Sequence, residues 1–481
     1  MSGVRRPISR AEPPDLVRAL AMANSLPGRP RAVLVGVQLP DTSDLEHATH
    51  LAELRRLVHT LGYETVATLS QRRAKTGGGT VLGTGKLKEL ARLTGGPGVI
   101  ASGAADRTSK AKERWEAEAE EEAQDEAPEE EGAGEATPPF VGEKPTVVVV
   151  DHELSPSQLR NLEKATGALV LDRTGVIIEI FHRHARSREA RLQVEIARLK
   201  YLAPRLRESA GRSERQQGQG SGDTAVELDR RKIRDRLAEL TEGLAAVQRD
   251  QDHRRFARRD QLRVALVGYT NAGKSSLMRA LTGTEVLVAD RLFATLDTTV
   301  RALQPESRPR VLVSDTVGFL KQLPHDLVAS FRSTLDEALE ASLLLYVVDA
   351  SDPTCQAQLD VTREVLRDIG AAEVPSLLLL NKIDRLDEAA RSALRERYPG
   401  AVLLSAHAPE DVAALRQSVL DFFEAQMVEA ELLIPYASQG RIGEIYENAR
   451  VLSEVFDEGC RAVRVRSMPG AIAKLTRLFQ A

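Results

Sequence analysis

Apolar residues fall into two rhythms along the chain. Ala32 to Val37 is a β-branched apolar run that predicts a buried strand. A helix-like stretch follows from about Leu45 to Thr60, and Glu64 to Leu69 predicts a second strand. Thr146 to Val150 and Ala168 to Leu171 resume the strand pattern. This alternation predicts an α/β domain over residues 31–180, preceded by a flexible arm over 1–30.

Helical spacing takes over next. Arg188 to Leu202 places Leu192, Ile196 and Leu199 on one face, with Pro204 expected to bound the helix. Glu227 to about Phe256 carries Ile233, Leu237, Leu240, Leu244 and Val247 as a second stripe. Gly211 to Thr224, between them, has no core-forming residue. The pattern predicts a helical hairpin over 181–260 with a polar, glycine-rich tip at 211–224. From Arg263 strands and helices alternate until Phe423, predicting a domain over 261–428. Residues 429–481 hold a strand-like Ala462 to Val465 flanked by helical stretches, a small α/β appendix. The fold class expected is multidomain α/β, with a mainly parallel sheet in the 261–428 domain.

Composition narrows the picture. A length of 481 residues suggests about three domains. Only Cys355 and Cys460 occur, so a disulfide framework is implausible and a cytoplasmic location is expected. Apolar runs such as Leu343 to Val348 fall far short of the ~20 residues of a membrane span. Peripheral membrane association stays open. The net charge of −4 conceals an acidic segment, because Glu113 to Glu135 holds twelve acidic residues and one basic one. Too polar to bury a core, it is expected to be a disordered insertion over about 105–140. Without that segment 65 basic residues face 58 acidic, and Arg183 to Arg215 alone has ten against four. A mildly basic body of this kind permits an RNA partner.

The chemistry is concentrated after Arg263. Val264 to Val267 reads as a buried strand, followed by Gly268-Tyr269-Thr270-Asn271-Ala272-Gly273-Lys274-Ser275 and an apolar helix. That is the phosphate-loop pattern in its required strand–loop–helix context. Glycines let successive amides turn toward phosphate oxygens, and the helix N-terminus adds partial positive charge. Lys274 would neutralise the β and γ phosphates and Ser275 would ligate Mg²⁺. Arg310 to Ser314 leads into Asp315-Thr316-Val317-Gly318. Its carboxylate suits Mg²⁺, and the Gly318 amide suits the γ-phosphate. Asn381-Lys382-Ile383-Asp384 follows the strand Ser376 to Leu380. Asp384 can accept from guanine N1–H and N2–H₂, a donor pair that adenine lacks. Ser405-Ala406 follows Val402 to Leu404 and can offer an amide to guanine O6. Together these motifs predict a GTP- and GDP-binding enzyme that hydrolyses GTP. Between the phosphate loop and Asp315, spacing leaves Thr295, Thr298 and Thr299 open as the switch hydroxyl. Gly77 to Lys86 fails as a second phosphate loop, since Thr80 would replace its first glycine and Leu87 its Ser/Thr. A structural turn before a helix at Lys88 is expected there instead.

The chain resembles the HflX family of ribosome-associated GTPases. The likeness rests on Leu154 to Leu162, Leu171 to Gly175, Gln193 to Ala197, Leu199 to Leu206, and Asp315 to Arg332 with Leu323-Pro324-His325. It implies a ribosome-binding N-terminal part, with the hairpin tip near the catalytic centre of the large subunit, and a role in splitting stalled or idle ribosomes under stress. It also implies Thr295 as the switch ligand of Mg²⁺ within a nucleotide-contacting Phe293-Ala294-Thr295-Leu296-Asp297, and Ser405-Ala406-His407 at the base. The partners implied are ribosomal RNA and proteins of the large subunit; no DNA partner is expected, and a monomer is expected though the sequence does not determine oligomeric state. Three positions depart from the family pattern. The acidic insertion is extra, Thr298 stands where proline is usual, and His407-Ala408-Pro409-Glu410 lacks the usual lysine and glycines.

Many GTPases place a water-orienting glutamine after the Asp-x-x-Gly glycine. Here that residue is Phe319, so Lys274 and Gly318 are left as the catalytic candidates. Asn271 sits where some related GTPases help to hold K⁺ beside the phosphates. Two further classes fit the same motifs: a nucleotide-gated adaptor, and a GTPase acting on a non-ribosomal RNA or protein.

Overall fold

A computed structural model describes residues 29–77, 79–100, 144–210, 225–256, 261–283, 299–320, 337–457 and 459–480. The acidic insertion, the hairpin tip, Phe293 to Thr298 and Leu323 to His325 lie outside the described residues. The chain divides into two compact units, Met1–Ile180 with Lys200–Arg230, and Phe181–Leu199 with Arg231–Ala481.

In the first unit the order is β1 (Arg31–Gln38), α1 (Asp44–Thr60), β2 (Glu64–Arg72), α2 (Thr84–Thr94), β3 (Val147–Val150), α3 (Pro156–Thr166) and β4 (Leu169–Asp172). The four strands form a parallel sheet in the order β2-β1-β3-β4. Val147 to Val150 are all fully buried, as expected for a parallel strand covered on both faces. Ser43 with Glu46 and Ser155 with Gln158 form capping boxes that start α1 and α3. The helix expected at Lys88 begins at Thr84 instead. The Gln71 side chain accepts the Gly83 amide at 2.9 Å, and Leu87 is buried one turn later.

β4 runs directly into α4 (Arg173–His184), and α5 (Arg188–Ala210) and α6 (Ala225–Phe256) follow. Pro204 lies inside α5 rather than bounding it. Arg205 beyond the proline is anchored, bonding Asp172 Oδ2 at 2.8 Å and the Tyr201 carbonyl at 2.7 Å. Its guanidinium also lies 3.2 Å from the Tyr201 ring centroid. Asp172, fully buried, accepts the Tyr201 hydroxyl at 2.5 Å and the Gly175 amide at 2.7 Å. Tyr201→Phe removes one donor from this buried carboxylate and is expected to destabilise the first unit by about 1–2 kcal/mol. Faster hydrogen exchange of the β4 amides would register the loss, whereas unchanged exchange would mean Arg205 and Gly175 suffice.

The second unit carries the nucleotide motifs. Its elements are β5 (Leu262–Gly268), α7 (Lys274–Thr282), β6 (Thr299–Ala302), β7 (Val311–Asp315), β8 (Leu343–Asp349), α8 (Cys355–Asp368), β9 (Ser376–Asn381), α9 (Glu388–Arg397), β10 (Val402–Leu403) and α10 (Pro409–Glu424). The strands form one sheet, β10-β9-β8-β5-β7-β6, parallel except for β6 against β7. Leu266, Val347, Leu379, Leu277 and Phe423 are among its buried core. The carboxyl ends of β5, β7, β8, β9 and β10 therefore share one edge, where open α/β sheets bind ligands.

The appendix contains more strand than its pattern suggested. β11 (Val428–Pro435), α11 (Gly443–Asn448), β12 (Arg450–Phe456), β13 (Cys460–Ser467) and α12 (Pro469–Gln480) follow in order. The strands make an antiparallel sheet, β11-β13-β12. One face packs Leu432, Ile434, Val463 and Val465 with Leu475 and Phe479. Its partner strands alternate glutamate and serine with apolar residues, which blurs a helical from a strand period. Both cysteines are free thiols. Among the described residues no helix is long and apolar enough to cross a membrane.

Candidate functional site

The phosphate loop lies between β5 and α7, and its turn depends on backbone geometry. Gly273, the N-cap of α7, has φ +97°, and a Cβ there would lie 2.1 Å from Asn381 Nδ2. Only glycine fits. Asn271 adopts φ +60°, a conformation asparagine tolerates better than most residues.

Lys274 is buried, and its ammonium donates to the carbonyls of Gly268 at 3.0 Å and Tyr269 at 2.8 Å. Burial pushes its pKa down to about 8, against the pull of the Asp315 charge. A phosphate group entering the loop would offer this cation a full counter-charge in place of two carbonyls. Ser275 Oγ donates to Asp315 Oδ2 at 2.7 Å, so the two residues read as Mg²⁺ ligands already touch. A hydroxyl and a carboxylate are hard oxygen donors suited to Mg²⁺. No cluster of three or more His, Cys, Asp or Glu able to hold a metal occurs among the described residues. The donor set fits an ion shared with phosphates and water rather than an all-protein cage.

Beyond Asp315 the chain folds back onto the loop. The Thr316 hydroxyl donates to the Leu266 carbonyl at 2.7 Å, and Val317 is buried. Gly318 approaches so closely that a Cβ would fall 2.8 Å from Thr270 Cα and 2.9 Å from Lys274 Nζ. Phe319 is buried and bridges Tyr269 in parallel. Its carbonyl accepts the Thr270 amide at 2.8 Å, and its amide donates to the Gly268 carbonyl at 3.1 Å. The residue at the glutamine position is thus a packing residue whose backbone stitches this segment to the phosphate loop. The Thr270 hydroxyl is buried and has no hydrogen-bond partner among the described residues.

Asn381 joins the two ends of the site. Its Nδ2 donates to the Ala272 carbonyl at 2.8 Å, and its Oδ1 accepts the Ala406 amide at 3.1 Å. The amide expected to meet guanine O6 therefore pairs with Asn381 here. Lys382, at φ +64°, donates to the Asn271 carbonyl at 2.7 Å and to Asp349 Oδ2 at 2.6 Å. Ser405 Oγ donates to Asp384 Oδ1 at 2.6 Å, which holds that exposed carboxyl below the usual aspartate range. The His407 amide donates to the same Ser405 oxygen at 3.3 Å, and Ile383 starts the short turn that carries Asp384.

Gly268 to Ser275, Asp315 to Gly318, Asn381 to Asp384 and Ser405 to His407 thus stand along one sheet edge, while Phe293 to Asp297, with Thr295, lie outside the described residues. Asp349 was missed, although its place at the end of β8, on the same edge, was a usable signal. The fold and the loop together define a P-loop GTPase.

Comparison with known proteins narrows the class. The family model described as 50S ribosome-binding GTPase matches residues 263–382. The GTP-binding GTPase N-terminal model matches 48–100 and 133–182, and the GTP-binding GTPase Middle Region model matches 184–258. The GTPase HflX of Gluconacetobacter diazotrophicus is 67% identical over 456 residues, covering 95% of this chain and 99% of that protein. That of Escherichia coli is 40% identical over 331 residues, covering 67% and 78%. The chain belongs to the HflX GTPase family. It binds GTP and hydrolyses it.

Proposed function

We propose that this chain is a ribosome-acting GTPase whose GTP form binds the large subunit and splits stalled or idle ribosomes, with hydrolysis releasing the factor. The observation that carries the switching part is the stitch between Phe319 and the phosphate loop. A γ-phosphate seeking the Gly318 amide and Lys274 must compete with the contacts that Gly268, Tyr269 and Thr270 now make. Triphosphate and diphosphate would then favour different arrangements of residues 316–320, as a nucleotide switch requires. The ribosomal part draws on the family description and on the basic hairpin. A cytoplasmic location follows from such a partner.

In this reading the amides of residues 269–275 cradle the phosphates, and Lys274 neutralises the β and γ groups. Ser275, Asp315 and Thr295 hold Mg²⁺, which supplies charge to the phosphate oxygens when bound. Asp384 reads the guanine edge while the Lys382 stem lies along the base face. With Phe319 packed away, no side chain among the described residues stands where a glutamine would orient water, so basal turnover is expected to be slow. Large subunits are expected to raise it by ordering the switch segments, by about 10–100-fold on the scale of transition-state preorganisation. Steady-state phosphate release with and without purified large subunits measures this, and equal rates would count against it.

Sedimentation of intact ribosomes tests the splitting itself. With a non-hydrolysable GTP analogue, free subunits should accumulate on the gradient, since binding does the work and hydrolysis only resets the factor. Binding without separation would instead indicate a nucleotide-gated adaptor.

A further inference from the structure

We infer that Asp411 is a positioning residue for guanine recognition, gripping the base loop by its backbone where the usual lysine and glycines are missing. The inference rests on the reading of Asp384 as the guanine acceptor. Ala408 is the N-cap of α10 and offers no side-chain oxygen, and Pro409 begins the helix. Glu410 and Asp411 both lie in the first turn, where the helix dipole favours negative charge. Rather than capping its own helix, Asp411 Oδ2 reaches back to accept the Ser405 amide at 2.7 Å.

Ser405 is buried, and its polar groups are committed. Its carbonyl accepts the Ala408 amide at 3.0 Å, closing a four-residue turn. Its hydroxyl donates to Asp384 at 2.6 Å and accepts from His407 at 3.3 Å. Asp411 supplies the acceptor for the remaining group, the amide. Without it a buried N–H loses its partner, which proteins rarely tolerate in place. The turn would shift to find another acceptor, and the hydroxyl would lose its aim at Asp384. Ala406, held to Asn381 at 3.1 Å, would move with it. Asp411 is therefore coupled to the guanine edge without being read as touching the nucleotide.

The test is a double-mutant cycle on the full chain, read by GDP and GTP affinity. Asp411→Ala should weaken both nucleotides by about ten-fold, the scale of one charge-assisted hydrogen bond. KM should rise more than kcat falls. Asp411→Asn keeps an oxygen acceptor and should recover most of the affinity. In an Asp384→Ala background the Asp411→Ala loss should shrink to within about two-fold, because the contact it supports is gone. Unchanged affinity in Asp411→Ala would overturn the inference, and so would an equal loss in both backgrounds. If Asp384→Ala itself leaves guanine affinity intact, the base-edge reading fails first, and the inference with it.

Discussion

Asp384→Asn protein is expected to bind GDP about a thousand-fold more weakly than its parent and to gain affinity for xanthosine diphosphate. The Ser405 hydroxyl donates to Asp384 and lowers its pKa, so the group is an ionised, acceptor-only carboxylate near neutral pH. Guanine presents N1–H and N2–H₂ side by side, and both can donate to it. An asparagine keeps one acceptor and sets an NH₂ against the other donor. Losing one charge-assisted bond and facing a donor with a donor costs about 4 kcal/mol, or about three decades. Xanthine carries a carbonyl oxygen where guanine has N2–H₂, which matches the asparagine amide. The phosphate end is untouched by this change, since Lys274, Ser275 and Asp315 bond among themselves and with the loop. The loss should therefore be equal for GDP and GTP in equilibrium titrations. A variant that still prefers guanosine over xanthosine nucleotides would remove Asp384 from the base edge.

What the sequence disclosed about this chain follows the range of the forces involved. Val147 to Val150 and the β5 run announce buried parallel strands because burial on both faces demands continuous apolar residues. The phosphate loop is legible for a similar reason, since its backbone turn forces glycine at 273 and its charge forces lysine at 274. Pro204 misled because a proline's local penalty can be outweighed by distant contacts, here Arg205 with Asp172. The strands flanking β13 escaped notice because their short alternation competes with a helical period. Asp349 offered only its place at the end of β8 as a signal, and Asp411 offered none. Each acts on a backbone or side-chain group brought near by folding, Lys382 for one and Ser405 for the other, and neither belongs to a motif. The contact between Phe319 and the loop is likewise tertiary, although the missing glutamine was plain from the sequence.

Gly318→Ala is expected to lower kcat for GTP by about a thousand-fold while GDP affinity stays within about three-fold. The added methyl would sit 2.8 Å from Thr270 Cα and Cγ2 and 2.9 Å from Lys274 Nζ. The lysine end can swing aside, but Thr270 Cα is backbone, held by the bond from its amide to the Phe319 carbonyl at 2.8 Å. Residues 317–319 must therefore withdraw from the phosphate loop, and the Gly318 amide withdraws with them. Loss of one preorganised donor to the charge of a transition state typically costs about 10²–10³ in rate. Displacement of the lysine at the same point adds to that. GDP lacks the γ-phosphate and so loses no contact with Gly318. Single-turnover hydrolysis at saturating GTP, beside a GDP titration, separates the two effects. Large subunits should not restore the rate, because ordering the switch segments cannot make room for the methyl. Hydrolysis at the parent rate would mean that the γ-phosphate is held by other amides and that Gly318 serves only close packing.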